Sequence, residues 1–488
     1  MSKDTAITLD TEALLSFVDS RWETSAIPKL KEYIPIPNKS PMFDPDWETN
    51  GYMQQAAQML FDWACSVELD MQIEIFTLTG RTPIIFAQIP DSSGANNPDA
   101  PTVVLYGHYD KQPEFSGWHE GLGPWIAVER DGKLYGRGGA DDGYSIFGSL
   151  IALEAIKKQG LEHPRCVLLI EGCEESGSFD LLYYMDAKFE EIGNAQLVVC
   201  LDAECGNYDQ LWVTTSLRGM LPGTLSVDIL HEGQHSGLAG GIVPSSFRIL
   251  RQLIDRVEDA SSGRLHAALN AEIPGEVHDA ANQVAQVLGP SIIDRFPWVE
   301  GGHPGTDDVA SLLVDNAWRP SLAVAGISGA PEVTDAGNTL RPGTAAKLVF
   351  RLPPTVDAKA AAQTIKAELE RDPPYGASVL FELETPQSGW HAPLEAPWLA
   401  TSLNQASSRY FGKPVMHMGI GGTIPFMKML GDVFPTTQFM VTGLLGPMSN
   451  AHGPNEFMHI ATAKRLTACV ADVLVASHAA FKGAIETT

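Results

Sequence analysis

Basic residues are scarce in this sequence. The 488-residue chain has 33 lysines and arginines against 60 aspartates and glutamates, so its formal net charge is −27 at pH 7. Proteins that bind a phosphate backbone need clustered Lys and Arg side chains, and the scarcity argues against such binding. The negative charge also favours solubility and repulsion from anionic membrane surfaces. We therefore expect neither a nucleic-acid partner nor a membrane partner.

The chain also lacks export and disulfide signals. Its first residues, Met1 to Thr5, contain no apolar signal core, and no uninterrupted apolar run reaches 18 residues. We therefore expect neither a secretory signal nor a membrane span. The six cysteines include no C-x-x-C pair, and several lie inside apolar runs, which is typical of free thiols in a reducing compartment. The sequence predicts a cytoplasmic protein in which any bound metal has imidazole and carboxylate ligands.

Helix-like and strand-like segments alternate along the first part of the chain, as judged from the spacing of apolar residues. We predict helices over 11–33, 52–66 and 143–158 and strands over 72–78, 83–89, 103–106, 166–170 and 196–201. This alternation indicates an α/β fold with a mostly parallel central sheet. Ligands of such sheets bind where the strands end at their carboxyl edge.

The pattern changes near residue 216. From there we predict strands over 225–230, 347–352 and 378–383 and helices over 245–257, 275–287 and 357–370. This order predicts a separate α+β insertion over 216–385. The flanking segments 1–215 and 386–488, the second of which ends in a helix over 461–481, then form one interrupted α/β domain.

Two motifs place histidine and acidic side chains beside predicted secondary structure. His108 and Asp110 follow the strand over 103–106, and positions two apart on a strand project to the same side. They fit a metal-binding imidazole oriented by a carboxylate, although such a pair alone is more often a hydrogen bond at a strand end. Asp141 and Asp142 follow a glycine run and precede a helix, where an N-cap is the simpler explanation for either residue alone.

Three more motifs carry acidic or histidine side chains near the ends of apolar runs or in a loop. Glu174 and Glu175 lie just beyond the strand over 166–170, where one carboxylate can hold a cation while the other acts as a general base. A solvated acidic turn is the alternative. Asp202 ends an apolar strand, a costly place for a charge unless it is paired or coordinated. His452 lies in a Gly/Pro loop. It would not indicate a site by itself, and it does so only together with the other four motifs.

Together these motifs, in this order, resemble the dinuclear-zinc metallopeptidase family. That family contains carnosinases, cytosolic dipeptidases, glutamate carboxypeptidase, aminoacylases and succinyl-diaminopimelate desuccinylase. The resemblance extends from about residue 15 to the C-terminus. It implies a zinc-exopeptidase-like catalytic domain formed by 1–215 and 386–488. It also implies that 216–385 is a lid domain through which two chains form a homodimer.

The resemblance implies two divalent metal ions, Zn²⁺ or else Mn²⁺. His108 and Asp202 would bind one ion, and Glu175 and His452 would bind the other. Asp141 would bridge both. Three carboxylates and two imidazoles are ligands that suit either metal.

The resemblance also implies catalytic roles. Glu174 would be the general base, and Asp110 would orient His108. Asp142 is the nearest rival to Asp141, but the family's bridging position is the first acid after the glycine run. His235, in the sequence His235-Ser236-Gly237, would reach the active site of the partner subunit and stabilise the oxyanion.

Several lid and loop residues match positions that bind substrate in the family. The implied residues are Arg351, Gly421, Gly422, Thr423, His391 and Asn338. A guanidinium suits a substrate carboxylate, although a surface ion pair would also explain Arg351. The Gly-Gly-Thr loop favours the dipeptidase and carboxypeptidase branch over simple deacetylases.

Two departures from the family pattern concern substrate recognition. Lys111 stands where relatives often have valine, which would place a cation near the metal shell, and Ile420 stands where relatives often have a charged residue. The leading hypothesis is a metallo-exopeptidase that cleaves dipeptides or related small amides with a free carboxylate. A deacylase of N-acyl or N-succinyl amino acids is the alternative enzyme. A binding protein that has lost catalysis is disfavoured, because the implied ligands and base are all present.

Overall fold

The secondary structure follows the periodicity of apolar residues along the chain. The computed structural model describes residues 9–486. Within these residues the α-helices are α1 (Thr11–Arg21), α2 (Ile27–Tyr33), α3 (Trp47–Asn50), α4 (Tyr52–Cys65), α5 (Ser145–Lys158), α6 (Leu181–Ala187), α7 (Phe189–Ile192), α8 (Ser236–Ala239), α9 (Ser246–Ile254), α10 (Gly275–Leu288), α11 (Ser291–Asp294), α12 (Val309–Trp318), α13 (Ala358–Glu370), α14 (Pro397–Phe411), α15 (Pro425–Val433) and α16 (Ile460–Glu486). The strands are β1 (Gln72–Phe76), β2 (Ile84–Ile89), β3 (Thr102–His108), β4 (Val128–Arg130), β5 (Lys133–Tyr135), β6 (Arg165–Glu171), β7 (Ala195–Cys200), β8 (Trp212–Leu217), β9 (Gly219–Asp228), β10 (Gln234–His235), β11 (Ser321–Ser328), β12 (Thr339–Leu340), β13 (Gly343–Leu352), β14 (Ser378–Leu383), β15 (Trp390–His391), β16 (Met416–Ile420), β17 (Gln438–Val441) and β18 (Phe457–His459).

The helices and strands predicted from the sequence are present, with ends displaced by a few residues. A π-helical turn over Trp22–Ala26 joins α1 to α2, so the segment 11–33 is helical throughout. Several elements of the insertion were not predicted, and the longest of them are α12 and β11. Ser, Ala and Gly make up most of β11, SLAVAGIS, and these residues give little β-strand signal.

A six-stranded sheet forms the centre of the domain predicted from the two ends of the chain. Its strand order is β1-β2-β6-β3-β7-β17. The strands β6, β3, β7 and β17 pair in parallel, whereas β2 runs antiparallel to β1 and β6. Nearly every residue of β3, β6 and β7 is buried, which is typical of a parallel sheet covered on both faces. The predicted mostly parallel sheet is confirmed.

Alternate residues of β3 enter two different cores. Val103 and Leu105 belong to a core that includes side chains of α1, α4, α5, α14 and α16. Val104 and Tyr106 face the other core, where the Tyr106 ring stacks on that of Phe426 in α15 with centroids 3.9 Å apart. Because successive strand residues project to opposite faces, helices cover the sheet on both sides. The ends of the strands remain available for a site.

A second sheet lies in the insertion. Its order is β11-β13-β9-β14, and all its pairings are antiparallel. Leu348, Phe350 and Leu352 alternate along β13 into a core shared with α9 and α13. One face is therefore apolar and covered by helices, as in an α+β layer.

The helices α10 and α12 pack against a different sheet. They contact β16 of a three-stranded sheet with the order β15-β8-β16. Trp212 of β8 and Met416 of β16 share a small core with Val284 and Leu288 of α10. The division into 1–215, 216–385 and 386–488 stays a prediction, and β8 crosses its first boundary.

The thiols are unpaired, as the sequence predicts. Cys65 is exposed, and the other five cysteines are buried and free. Burial in an apolar core is a common environment for a structural cysteine. Separately, a search of the helices within residues 9–486 finds none with the length and apolar character of a membrane span.

Candidate metal centre

Three of the sequence motifs lie at the carboxyl ends of neighbouring strands. His108 is the last residue of β3, Asp202 lies just after β7, and Glu174–Glu175 begin a 3₁₀ turn after β6. Since β6, β3 and β7 are adjacent and parallel, these strand ends meet at one edge of the sheet. Asp141 and His452 lie in loops that precede α5 and β18.

The five residues proposed as metal ligands form two groups that share Asp141. In the first group, His108 Nε2 lies 3.3 Å from Asp141 Oδ1 and 3.7 Å from Asp202 Oδ1. In the second, His452 Nε2 lies 3.1 Å from Asp141 Oδ2 and 3.2 Å from Glu175 Oε2. The candidate ligand atoms of each group lie within 4.8 Å of one another. Each group can therefore surround one cation, with one oxygen of Asp141 turned to each.

Asp110 joins His108 to the turn that carries the two glutamates. Its Oδ1 lies 3.4 Å from His108 Nδ1 and accepts a hydrogen bond from the Glu174 backbone N–H at 3.1 Å. Its Oδ2 accepts from the Glu175 backbone N–H at 3.0 Å. The backbone carbonyl of Asp110 lies closer to His108 Nδ1, at 3.2 Å, and an acceptor on the far nitrogen of an imidazole fixes the ring's orientation and tautomer. The geometry thus suits the orienting role expected of Asp110.

Buried carboxylates dominate the electrostatics of the cluster. Burial and the neighbouring Asp202 charge raise the pKa of Glu174 well above its usual range. Burial and the Asp141 charge raise the pKa of Glu175 to about 8. Burial lowers the pKa of His108, but Asp202, Asp110 and Asp141 outweigh it and hold this pKa well above its usual value. Carboxylates this close repel one another unless cations lie between them.

The donor set fits divalent metal ions. Glu175 Oε1 is buried and has no hydrogen-bond partner in the described part of the chain, and an unpartnered carboxylate oxygen inside a protein is costly unless it coordinates a cation. Two imidazoles and three carboxylates match the preferences of Zn²⁺ and Mn²⁺. The predicted rival, Asp142, lies outside both groups. Its Oδ2 accepts a hydrogen bond from the His108 backbone N–H at 3.2 Å.

Three contacts around the cluster were missed by the sequence analysis. Gln112 donates its side-chain N–H to Glu175 Oε2 at 2.6 Å. Tyr33 and Asn38 both donate to the backbone carbonyl of Tyr109, at 2.5 and 2.6 Å. Gln112 stands only two residues after Asp110, which was a usable signal. The other contacts join distant parts of the chain and leave no local pattern.

A buried ion pair holds together the two loops that carry Asp141 and His452. Arg137 and Glu456 form this pair, and both side chains are almost wholly buried. Arg137 also donates to the Gly453 carbonyl at 2.8 Å, and Glu456 Oε1 accepts from the Gly138 backbone N–H at 2.9 Å. The pair therefore links the glycine run before Asp141 to the residue that follows His452.

Replacing Glu456 by Gln is expected to lower metal affinity about 10–100-fold, because residues that position ligands have effects of this size. Glu456 touches no proposed metal ligand directly. Competition with a chromophoric chelator measures the affinity. A Glu129→Gln variant, which removes a carboxylate from an exposed ion pair with Lys31, is the control. Unchanged affinity in a folded Glu456→Gln protein would show that the loop needs no such support.

The expectation that Lys111 places a cation near the metal shell is wrong. Its buried amine donates instead to the backbone carbonyls of Tyr33, Ile34 and Ile36, at 2.9, 3.3 and 2.8 Å, and lies 3.8 Å from the Tyr33 ring centroid. These carbonyls lie at and just after the end of α2, where helix carbonyls lack partners within the helix and accept hydrogen bonds from other groups. Lys111 is therefore a structural residue.

Several residues implied in substrate binding meet at the end of β16. Gly421, Gly422 and Thr423 follow this strand, and Arg351 donates to Thr423 Oγ1 at 3.1 Å. Arg218, which was missed from the sequence, donates to the Gly421 carbonyl at 3.3 Å and accepts from the Thr423 hydroxyl through its own carbonyl at 2.6 Å. Among residues 9–486, Arg351 forms no ion pair, so the alternative of a surface ion pair finds no support.

The other implied substrate residues lie elsewhere. His391 stands edge-on to Trp318, with ring centroids 4.9 Å apart, in a cavity beside α10 and α12. His235 is exposed, and its Nδ1 accepts from the Gly237 backbone N–H at 3.1 Å. Asn338 lies beside this segment, since its carbonyl accepts from the Ser236 N–H at 2.9 Å. No hydrogen bond or ion pair of the described residues joins His235 to the five proposed ligands of its own chain.

Comparison with known proteins supports the metallopeptidase class expected from the sequence. A model of peptidase family M20/M25/M40 matches residues 104–476. The cysteinylglycine-S-conjugate dipeptidase of Corynebacterium striatum is 29% identical over 387 residues, which cover 75% of this chain and 80% of the relative. The β-Ala-His dipeptidase of Homo sapiens is 23% identical over 398 residues, covering 77% and 73% of the two chains.

Solved structures show the same fold. Human carnosine dipeptidase 1 superposes with a TM-score of 0.75 at 20% sequence identity, covering 96% of this chain and all of that one. The dipeptidase Dug1p of Saccharomyces cerevisiae gives a TM-score of 0.76 at 20% identity, covering 97% and 99%. The predicted fold class is therefore confirmed.

Proposed function

The chain belongs to peptidase family M20/M25/M40, and from this premise we propose that it is a metal-dependent exopeptidase that hydrolyses dipeptides with a free carboxylate. The observation that carries the proposal is the sharing of Asp141 between two groups of ligands, with Glu174 at the same strand edge. The dipeptidases among its relatives support the substrate class.

We assign the metal ligands by group. His108 and Asp202 would hold one ion, Glu175 and His452 the other, and Asp141 both. Zn²⁺ is the expected metal, with Mn²⁺ as the alternative. When bound, such ions supply Lewis-acid polarisation of the scissile carbonyl and lower the pKa of water at the site.

Glu174 supplies the proton transfer. Its carboxylate accepts the proton of the attacking water as the new C–O bond forms, and it donates this proton to the leaving amine as the C–N bond breaks. The turn that carries Glu174 is fixed by the hydrogen bond from its backbone N–H to Asp110. The base is thereby held at a defined distance from His108, which contacts the same carboxylate.

Recognition of the substrate carboxylate falls to the loop after β16. Arg351 is half-buried and forms no ion pair among the described residues, so its guanidinium can receive an anion. The backbone amides of Gly421 and Gly422 and the hydroxyl of Thr423 complete the proposed carboxylate site. A free carboxylate next to the scissile bond restricts the enzyme to substrates such as dipeptides.

We further propose a homodimer in which 216–385 acts as the lid and His235 acts on the partner subunit's active site. The strand β11 is an edge strand with exposed apolar side chains, such as Val324 and Ile327, and unpaired edges of this kind favour pairing with another chain. His235 is exposed beside Asn338 and is free to contact another copy. The free thiols support a cytoplasmic location.

Co-expression of two inactive variants tests the action of His235 across subunits. His235→Ala and Glu174→Ala chains that pair at random form hybrids in half of all dimers, and each hybrid has one intact site. About a quarter of the wild-type activity is therefore expected, although each variant alone is inactive. His231→Ala, in the same exposed segment, is the control and should keep its activity. Co-expressed activity no greater than that of the single variants would place His235 outside the partner's site.

The alternative function is hydrolysis of N-acyl or N-succinyl amino acids through the same metal chemistry. A succinyl-diaminopimelate desuccinylase of Cupriavidus necator is 32% identical over 143 residues, but the match covers only 28% of this chain. Parallel measurement of kcat/KM for a dipeptide panel and for the matching N-succinyl amino acids separates the two functions. The proposal requires higher kcat/KM for the dipeptides. Higher values for the succinyl substrates would overturn it.

A further inference from the structure

A cavity of about 330 Å³ lies between the helices α10 and α12 and the sheet formed by β15, β8 and β16. This is within the size range of small-molecule sites. None of the five proposed metal ligands lines the cavity, and neither Arg351 nor Thr423 does. It is therefore distinct from the proposed catalytic site.

The inner wall of the cavity is mostly apolar. Its aliphatic and aromatic lining comes from both helices and from β17, and includes Val277, Val284, Leu313, Val314, Trp318 and Phe439. The edge of the Trp318 ring meets the His391 ring across the cavity wall. Such a wall favours a ligand with an aromatic or branched apolar body.

Polar groups converge on the same space. Thr214 lines the cavity and is 1% exposed, and its hydroxyl has no hydrogen-bond partner among the residues that the structure describes. A buried hydroxyl without a partner costs free energy that a ligand can recover. At the rim, His417 Nε2 lies 2.8 Å from Glu395 Oε1, so this carboxylate already has a partner.

The charge of the lining selects for a cation. Within residues 9–486 no lysine or arginine lines the cavity, whereas Glu276 does and forms no ion pair. Burial lowers the pKa of His391 against the opposing effect of the nearby Glu276 charge, which favours a neutral imidazole. A carboxylate ligand would find no cation here, and an amine would face Glu276.

We propose that this cavity is a second ligand site, which binds a small apolar amine through the apolar wall, the Thr214 hydroxyl and the Glu276 carboxylate. The amine would pair with Glu276 at the mouth while its apolar body lies against Trp318. His391, which the sequence resemblance placed in substrate binding, lines this cavity.

Calorimetric titration of the metal-loaded protein with tryptamine tests the proposal, with indole-3-propionate as the anionic counterpart of similar shape. We expect one tryptamine per chain with a Kd of about 1 mM or below, and at least about tenfold weaker binding of the carboxylate. Equal binding of the two compounds, or no binding of tryptamine, would overturn the proposal.

Variants locate the binding. Ala280→Phe fills the cavity from a half-buried position on α10 and should abolish tryptamine binding. Glu276→Gln should weaken it about 2–5-fold, the effect of one exposed charge pair. Asp279→Asn removes a carboxylate from the same helix outside the cavity and should change nothing. Binding that persists in Ala280→Phe, or that Asp279→Asn weakens as much as Glu276→Gln, would place the ligand elsewhere. Retained dipeptide hydrolysis shows that each variant is folded.

Discussion

Replacing Glu174 by Gln is expected to reduce kcat for dipeptide hydrolysis about 10²–10⁴-fold while the protein keeps its metal. The amide has nearly the shape of the carboxylate but cannot accept a proton at neutral pH. The backbone hydrogen bond from Glu174 to Asp110 does not involve the side chain, so the turn stays in place. Steady-state kinetics and metal analysis of the same sample measure the two effects.

Glu175→Gln is the matched comparison, because Glu175 stands next in the chain and shares the same turn. Its side chain belongs to the second ligand group, so this variant should lose metal as well as activity. Metal content therefore distinguishes the two roles, because loss of the base leaves the metal bound and loss of a ligand does not. Full activity in Glu174→Gln with metal bound would eliminate Glu174 as the base.

Replacing Asp141 by Asn is expected to lower kcat/KM at least about 100-fold and to reduce the bound metal, because one residue serves both ligand groups. Asp142→Asn is the control. Burial and the Asp202 charge raise the pKa of Asp142 well above its usual range, and Asp142 belongs to neither ligand group, so Asn should replace it with little change. Its oxygen can still accept from the His108 backbone N–H.

The contrast between these neighbours decides which acid bridges the two groups. Metal content and kcat/KM for a dipeptide should fall in Asp141→Asn and stay within about tenfold of wild type in Asp142→Asn. The reverse pattern, with loss of metal only in Asp142→Asn, would contradict the assignment of Asp141.

Much of the site follows from local patterns in the sequence. The strands β3, β6 and β7 are apolar runs, and each is followed by a histidine or an acidic residue. In a parallel sheet the carboxyl ends of neighbouring strands lie together. His108, Glu174 and Asp202 therefore meet wherever these strands are adjacent. Periodicity alone does not give strand order, so the expectation that these side chains share one site came from the resemblance to a known family.

Other features depend on contacts that local patterns cannot show. His452 is separated from Asp141 by more than half of the chain, and the Arg137–Glu456 pair that joins their loops has no sequence signature. Lys111 was placed near the metal shell because it stands where relatives of the resembled family often have valine, but its amine donates to three backbone carbonyls at the end of α2. Those carbonyls surround the Lys111 amine only when the chain has folded, because they lie more than 70 residues away in the sequence.

The packing of α10 and α12 was also beyond local analysis. Both helices lie in the segment predicted as the insertion, yet they cover β8 and β16. Amphipathic spacing predicts that a helix has an apolar face but not which surface that face covers. The cavity beside His391 follows from this packing and is visible only in three dimensions.

The most direct test of the metallopeptidase assignment is a zinc titration of metal-free protein during hydrolysis of an unblocked dipeptide. Two ligand groups sharing Asp141 predict no hydrolysis without metal and a plateau at two equivalents of Zn²⁺ per chain. A plateau at one equivalent would contradict the shared role of Asp141. Full hydrolysis by the metal-free protein would contradict the metal-dependent mechanism itself.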